Sequence, residues 1–483
     1  MNLKKNRKMR QIKIFIVVLF TGVFFITSCE FGDINVDPTT LSSVQLKDQL
    51  PVAVGQTVFN VGTEGARAAG LVMQQFKGIE AQQQQLERYI IDDNTFNNFW
   101  SFGLYGGGVL KDCDLLIRQG TEKEQPYYVG IAKVLMAVNL GYATLCWGDI
   151  PYSEAFRGTE GTEFFKPSFD TQESIFATIQ TLLDEAITEL NKVEVAGGPG
   201  SDDLIYGGNP DSWIQTAYAL KARYYMYLVK RDGQAASKAL TALNSAYGSN
   251  ADESMFTAYG GRGANDANPL GQFGAQRPNT LAINDDFAAS MDAKNDPRQS
   301  YYMANDGSNY IFYTGPSGLF WSSYTSPAPV ISYTEQKFLE TEALLRTSEP
   351  LSDVADAFKS AIEANMDQLG IDPADYAAYV AAYGNFAGLS TDEERLERIL
   401  TEKYYAMYAQ GFFETWTDYR RTGYPALEPI AGGVNGSNPS GVIPRRWTYP
   451  TDEKFSNTAN VEAAIQRLPG GRDLLDTDMW AFE

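Results

Sequence analysis

The chain contains no histidine among its 483 residues. That absence removes imidazole general bases, Ser-His-Asp triads and HExxH zinc sites together. Cysteine is nearly missing, with only Cys29, Cys113 and Cys146, and no two form a CxxC pair. Cys113 and Cys146 both stand in apolar, helix-patterned surroundings, so two buried thiols are expected, with a single disulfide as the alternative. Cations are scarce: 39 Lys and Arg face 60 Asp and Glu, for a net charge of −21. Six of those cations lie in residues 1–28, where there is no acid, and without that segment the charge falls by six more, to −27. Such a surface repels phosphate backbones and anionic head groups, which excludes nucleic-acid binding.

Those six cations open a recognisable layout. Residues 4–13 are basic, and 14–26 form a 13-residue apolar run broken only by Thr21 and Gly22. A bilayer span needs about 20 residues, so the run reads as the core of a secretory signal over 1–28. Ile26-Thr27-Ser28-Cys29 has the form of a lipobox, which makes Cys29 the expected lipid-attachment residue and 29–40 a polar tether. An ordinary secretory signal with an incidental Cys is the alternative. Each buried methylene contributes about 0.8 kcal/mol, so stable anchoring takes two or more acyl chains, palmitate-type chains included.

What the chain does have is aromatics, with 28 Tyr, 27 Phe and 7 Trp, and a 44% hydrophobic content sufficient for a large core over 41–483. Helical periodicity recurs along it. Residues 64–79 and 94–118 carry interrupted patterns, and 127–146 is apolar on every face and therefore expected inside. Asp170 and Glu173 have capping-box spacing before a helix at 171–192. Asn209 followed by Pro210 starts another, reaching about residue 231, with 234–247 as its partner. Residues 352–369 form a further helix. A single long one is expected over 391–422, boxed by Thr391 and Glu394 and stopped by Gly423 and Pro425. Residues 248–332 are rich in Gly, Asn, Asp and Pro and show no helical spacing, so a long irregular segment is expected there. Residues 431–441 form a second Gly/Asn/Ser loop.

The late stretch EKYYAMYAQGFFETWTDYRRTGYP resembles the C-terminal signature of the SusD/RagB family of nutrient-binding outer-membrane lipoproteins. Six other features match in the same order: the acylation-type Cys29, WGDIPYSEAF at 147–156, FDTQESIFATIQTLLDEAI at 169–187, DPR at 296–298, SYTEQKFLETEALLR at 332–346 and IPRRWTYPTDE at 443–453. The resemblance implies a predominantly α fold, a tetratricopeptide-like scaffold of helix pairs with long irregular loops. No 34-residue repeat is visible, so the stack rests on the resemblance alone. The family also implies a surface-exposed lipoprotein over a SusC-like TonB-dependent transporter, delivering an oligosaccharide or a peptide without chemistry and without a cofactor.

The family shares no ligand motif, so candidate contacts come from residue type. Flat rings stack on sugar faces while amides and carboxylates bond hydroxyls. Two stretches offer both: Gln84 within 82–85 together with Trp100 and the neighbouring Asn97 and Asn98, and Tyr310, Trp321 and Tyr324 within 310–324. Packing beneath loops is the competing role for any one of these rings. Glu402, Glu414, Trp416, Asp418, Arg420 and Arg421 form the structural signature, with a cation–π contact expected between Trp416 and Arg420 and an ion-pair network among the charges. Arg445 and Arg446 are expected to serve similarly. The acidic stretches 284–296 and 305–309 offer oxygen ligands to a structural calcium but lack EF-hand spacing. A surface glycoside hydrolase and a purely protein-binding helical scaffold are the other functional readings, and no particular carboxylate pair marks the first.

Overall fold

The computed structural model describes residues 44–194, 197–263, 266–305, 307 and 310–483. The expected signal at 1–28, Cys29, the tether and most of 305–309 lie outside them. The described part is a predominantly α, tetratricopeptide-like assembly. Helix α1 (Leu46–Asn60) and α2 (Glu64–Val72) turn sharply at Gly62, and α3 (Ala81–Glu87) follows. A π-helical turn at Phe99–Leu104 leads into α4 (Val109–Glu122) and then α5 (Pro126–Trp147).

Every residue of α5 but Tyr127 and Lys133 is buried. The helix is long and apolar enough to cross a membrane, yet here it is the axis of the core. Helices α4 and α6 (Gln172–Leu190) flank it. The stack then passes from α6 to α7 (Pro210–Tyr227) and to α8 (Ala235–Leu243), each packed on the one before. Close approach depends on small residues. A Cβ on Gly141 would lie 2.1 Å from the Tyr224 hydroxyl, which is how α5 and α7 come together.

The local signals explain the boundaries. Asn209 Oδ1 accepts from Asp211 N at 3.1 Å and Pro210 takes the first turn of α7, as the sequence implies. For α6 the cap is Thr171, whose hydroxyl accepts from Ser174 N, so the expected Asp170 box is absent. Asp170 instead receives the backbone N–H groups of Tyr152 and Ser153, at 3.0 and 2.7 Å. That ties the WGDIPYS turn to the start of α6.

The segment 248–332 is more ordered than its composition suggests. It contains α9 (Pro269–Gln276), α10 (Asp285–Ala293) and the single turn α11 (Gln299–Tyr302). Asn268 and Asn284 cap the first two, so the polar residues that blurred the periodicity are themselves the start signals. Short antiparallel pairs fasten the segment to the body and its two ends to each other. Phe76–Gly78 lies against Leu281–Ile283, and Met255–Phe256 against Ala328–Pro329.

Helices α12 (Tyr333–Arg346), α13 (Leu351–Gln368) and α14 (Pro373–Tyr383) continue the stack. The one long helix expected after Thr391 is two: α15 (Asp392–Ala406) and α16 (Phe412–Thr422). Ala409 adopts φ 58° between them, and a Cβ on Gly411 would stand 2.1 Å from Met407 Cε. The periodicity persisted across the break because both helices bury the face it marks. The Thr391–Glu394 capping box and the left-handed Gly423 stop are both present. Helices α17 (Thr451–Ser456) and α18 (Thr458–Arg467) follow, and short 3-10 turns at Pro469–Gly471 and Trp480–Phe482 come last.

Buried charge fastens these layers. Arg421 Nη2 bonds Asp418 at 2.7 Å and its guanidinium also grips Glu342 on α12, while Lys403 Nζ reaches Asp418 at 2.8 Å. Burial alone would raise the Glu342 carboxyl; Arg421 and Arg346 outweigh it and bring it to about 2. Arg420 lies 3.7 Å over the Trp416 ring, the expected cation–π contact. Glu414 faces Arg223 at 3.5 Å, and burial beside Glu335 pushes its carboxyl up to about 7. The signature is a structural network, as are Arg445 with Asp478 and Arg446 with Asp473. Arg298 and Glu402 form a second buried pair at 2.9 Å.

Cys113 and Cys146 are free, buried thiols. Burial raises both above the ordinary thiol range, which disfavours the reactive thiolate. Finally, the end of α5 is sealed by a late stretch of the chain. Trp447 N donates to Cys146 O at 2.8 Å, and Trp147 Nε1 donates to Thr448 O at 3.0 Å.

Candidate functional site

A cleft of about 580 Å³ opens where α2, α3, the 90–98 turn and the 431–441 loop meet. Its lining is mostly polar: Glu64, Gln82, Gln85, Asp92, Asn94, Thr95, Asn98, Asn435 and Ser437, with Leu86 and Ile91 buried beneath and Ile90 exposed at its edge. A second cleft of about 240 Å³ adjoins it and shares Glu64 and Asn98. That one is walled by Phe59, Phe99 and Phe102 with Gln56, Asn60 and Thr63. Phe102 is 70% exposed and Phe59 39%, unusual for rings with no packing duty.

The scaffold holds these groups from behind. Asn60 Nδ2 donates to Gly103 O and to Asn139 Oδ1, both at 3.1 Å, which pins the π-helical turn bearing Phe102 to α5. A Cβ on Gly65 would meet the Phe99 ring at 2.7 Å, so that glycine lets α2 sit flush on the turn. On the other wall, Tyr89 lies at φ 59° and presents its hydroxyl to Ile430 N at 3.1 Å. Asn435 Nδ2 donates to Tyr89 O at 2.9 Å, and its Oδ1 collects Ser437 N at 2.9 Å. These bonds hold the late loop against the early one. Asp92 Oδ1 serves its own turn, accepting from Asn94 N and Thr95 Oγ1 at 3.0 Å each.

Glu64 stands at the junction of the clefts. Its Oε1 accepts from Gln82 Nε2 at 2.6 Å. Burial raises its carboxyl above the ordinary range, while Gln82 and the nearby Arg67 draw it back.

The residues singled out from the sequence divide sharply. Trp100 is 3% exposed and packs on Tyr105 and Trp147, and Trp321 is 2% exposed against Phe320. Neither offers a free face to a sugar, so both are core rings in place of the expected contacts. Gln84 is half-buried and donates to Ile79 O at 3.2 Å, whereas its neighbours Gln82 and Gln85 line the cleft. Tyr310 pairs with Asn305, and Tyr324 packs by Gly315; neither lines the cleft. The stretch with the Gln run and Asn98 is brought together with the 431–441 loop, which the sequence gives no reason to join to it. Glu64, Phe59 and Phe102 were missed, and the only sequence trace of the last is its place beside the Asn97–Asn98 pair. In the 284–296 stretch, Asp285 pairs with Lys77 and Asp296 with Arg298. Among the described residues no group of three Asp, Glu or Cys is placed to hold a metal ion.

Comparison with known proteins agrees with this picture. A SusD-like family model, described as starch-binding and associating with the outer membrane, matches residues 49–450. No curated protein matches. Among solved structures, a SusD/RagB family protein from Bacteroides thetaiotaomicron is 25% identical with a TM-score of 0.73, over 91% of this chain and 99% of its own. A chitin-binding protein is 23% identical with a TM-score of 0.73, over 91% and 100%. A Bacteroides vulgatus protein whose name refers to the outer membrane and to nutrient binding is 20% identical with a TM-score of 0.71, over 90% and 100%.

Proposed function

The chain belongs to the SusD-like family, and on that premise we propose that it is a lipid-anchored, nutrient-binding protein of the outer membrane, facing the cell exterior. It captures an oligosaccharide in the joined clefts and passes it to a SusC-like TonB-dependent transporter. Cys29 carries the anchor, residues 1–28 are removed as a signal, and 29–40 tether the body at 41–483. It makes and breaks no bond.

The observation that carries this reading is the cleft pair. Amide side chains bond hydroxyl groups through both their C=O and NH₂ ends. The exposed Phe102 and Phe59 offer faces to the apolar side of a pyranose. A ligand reaching across the Glu64–Asn98 junction uses both surfaces, so the site favours a chain of sugars over a single one. Because the clefts are open, much of the ligand keeps its water, and each net hydrogen bond is worth only about 0.5–1.5 kcal/mol. Affinity is therefore expected in the micromolar to millimolar range, about −4 to −8 kcal/mol, which suits a protein that must release its cargo.

Affinity electrophoresis of the purified protein in gels containing different polysaccharides tests this. At least one glycan should retard it, and Phe102→Ala should abolish the retardation without lowering the melting temperature. Full retardation in the Phe102→Ala variant would place the ligand elsewhere.

A further inference from the structure

A glycan in the joined clefts could be neutral, acidic or basic, and its charge can be inferred only on the premise that a glycan binds there. The lining narrows the choice. No Lys or Arg lines either cleft. The nearby Arg67 is turned away, its guanidinium 3.8 Å over the Phe273 ring and its Nη1 donating to Gly62 O at 2.8 Å. Of the two carboxylates present, Asp92 takes its turn's bonds on Oδ1 alone and lines only the larger cleft, whereas Glu64 lines both. Gln82 engages its Oε1, and its Oε2 accepts no hydrogen bond from the described residues.

An open carboxylate oxygen at the point both clefts share accepts from hydroxyl or ammonium groups. It repels a second carboxylate or a sulfate brought to the same place. The partial burial of Glu64 strengthens both effects, since less water screens the charge. The net charge of −21 acts in the same direction at longer range but is screened by salt, whereas a contact at Glu64 is screened much less.

We propose that Glu64 is a specificity-determining residue of this cleft, and that the site takes neutral or amine-bearing glycans and rejects those carrying uronic acid or sulfate.

Matched polymers that share a backbone and differ in charge test it. Suitable probes are polygalacturonate and its methyl ester, 6-carboxylated and unmodified soluble cellulose, sulfated and plain dextran, and chitosan with its N-acetylated form. Binding is measured at about 0.5 M salt to suppress long-range repulsion. In every acidic pair that binds, the neutral member should bind at least about tenfold tighter. Glu64→Gln, which keeps the acceptor and the Gln82 contact, should shrink that ratio by about threefold or more while the neutral member still binds. Equal or tighter binding of an acidic member overturns the proposal, as does an unchanged ratio in the variant. Absence of binding to every probe, with the fold intact by circular dichroism, refutes the glycan reading itself and this inference with it.

Discussion

Replacing Arg298 by Met removes a cation from the interior and leaves its partners behind. The guanidinium has no exposed surface. It bonds Asp296 Oδ2 at 2.6 Å, Glu402 Oε2 at 2.9 Å and the Tyr379 hydroxyl at 2.8 Å. Burial opposes charge on Glu402, and Arg298 with Lys294 overcomes it, holding the carboxyl below its ordinary range. In the variant Glu402 keeps Lys294 at 2.9 Å and the Tyr379 hydroxyl at 2.8 Å, while Asp296 loses the ion pair with Arg298. Breaking a buried pair in this way costs about 3–5 kcal/mol. The loss should appear as a lower midpoint in guanidinium chloride with an unchanged slope. The sign of its pH dependence is fixed. In the native protein the depressed Glu402 contributes stability above its unfolded value near 4.5, lost as pH falls through the folded value. The variant has lost that contribution, so the gap between the two proteins should narrow as pH drops through this range. Restoring neutrality by adding Asp296→Asn to the Arg298→Met variant, which leaves the Lys294–Glu402 pair in place, should recover part of the stability. A cost below about 1 kcal/mol at pH 7, or a gap that widens in acid, would refute the argument that this cluster is fastened by compensated charge.

Other buried groups give further expected outcomes. Burial pushes Glu253 up to about 7 against hydrogen bonds from Tyr333 N and Gln368. Its contribution is therefore fully present below about 4.5 and is lost as pH rises through about 7. Glu253→Gln should raise stability at pH 8 by up to about 3 kcal/mol and leave it unchanged at pH 4.5, read by urea melts at the two values. Cys113 and Cys146 should resist Ellman's reagent in the native protein and titrate as two thiols in denaturant, and reducing agent should not shift the melting temperature. Gly141→Ala should destabilise by about 1–3 kcal/mol through overpacking against Tyr224, measured by thermal unfolding.

The fold was legible wherever one cause governed a stretch. The all-round apolarity of α5, the Asn209–Pro210 start and the Thr391–Glu394 box each name a local interaction, and each is present. The break at Ala409 was not legible, because α15 and α16 bury a continuous face while the backbone between them turns. The binding surface was half legible. Gln82, Gln85 and Asn98 belong to a polar stretch that residue chemistry points to. Trp100 and Trp321 mislead because a ring that can stack on a sugar can equally fill a core, and only burial separates the two. Glu64 and Asn435 lie far apart in the chain and become neighbours only through Tyr89 and the loop it holds, a relation that no spacing encodes.

The seam between Cys146–Trp147 and Trp447–Thr448 joins segments separated by about three hundred residues. While the ribosome is still making the middle of the chain, the tip of α5 has no lid and Trp147 no acceptor. The seam closes only after this late stretch is delivered. Copies cut short before that stretch would keep an oily helix end on view, an easy mark for quality-control proteases.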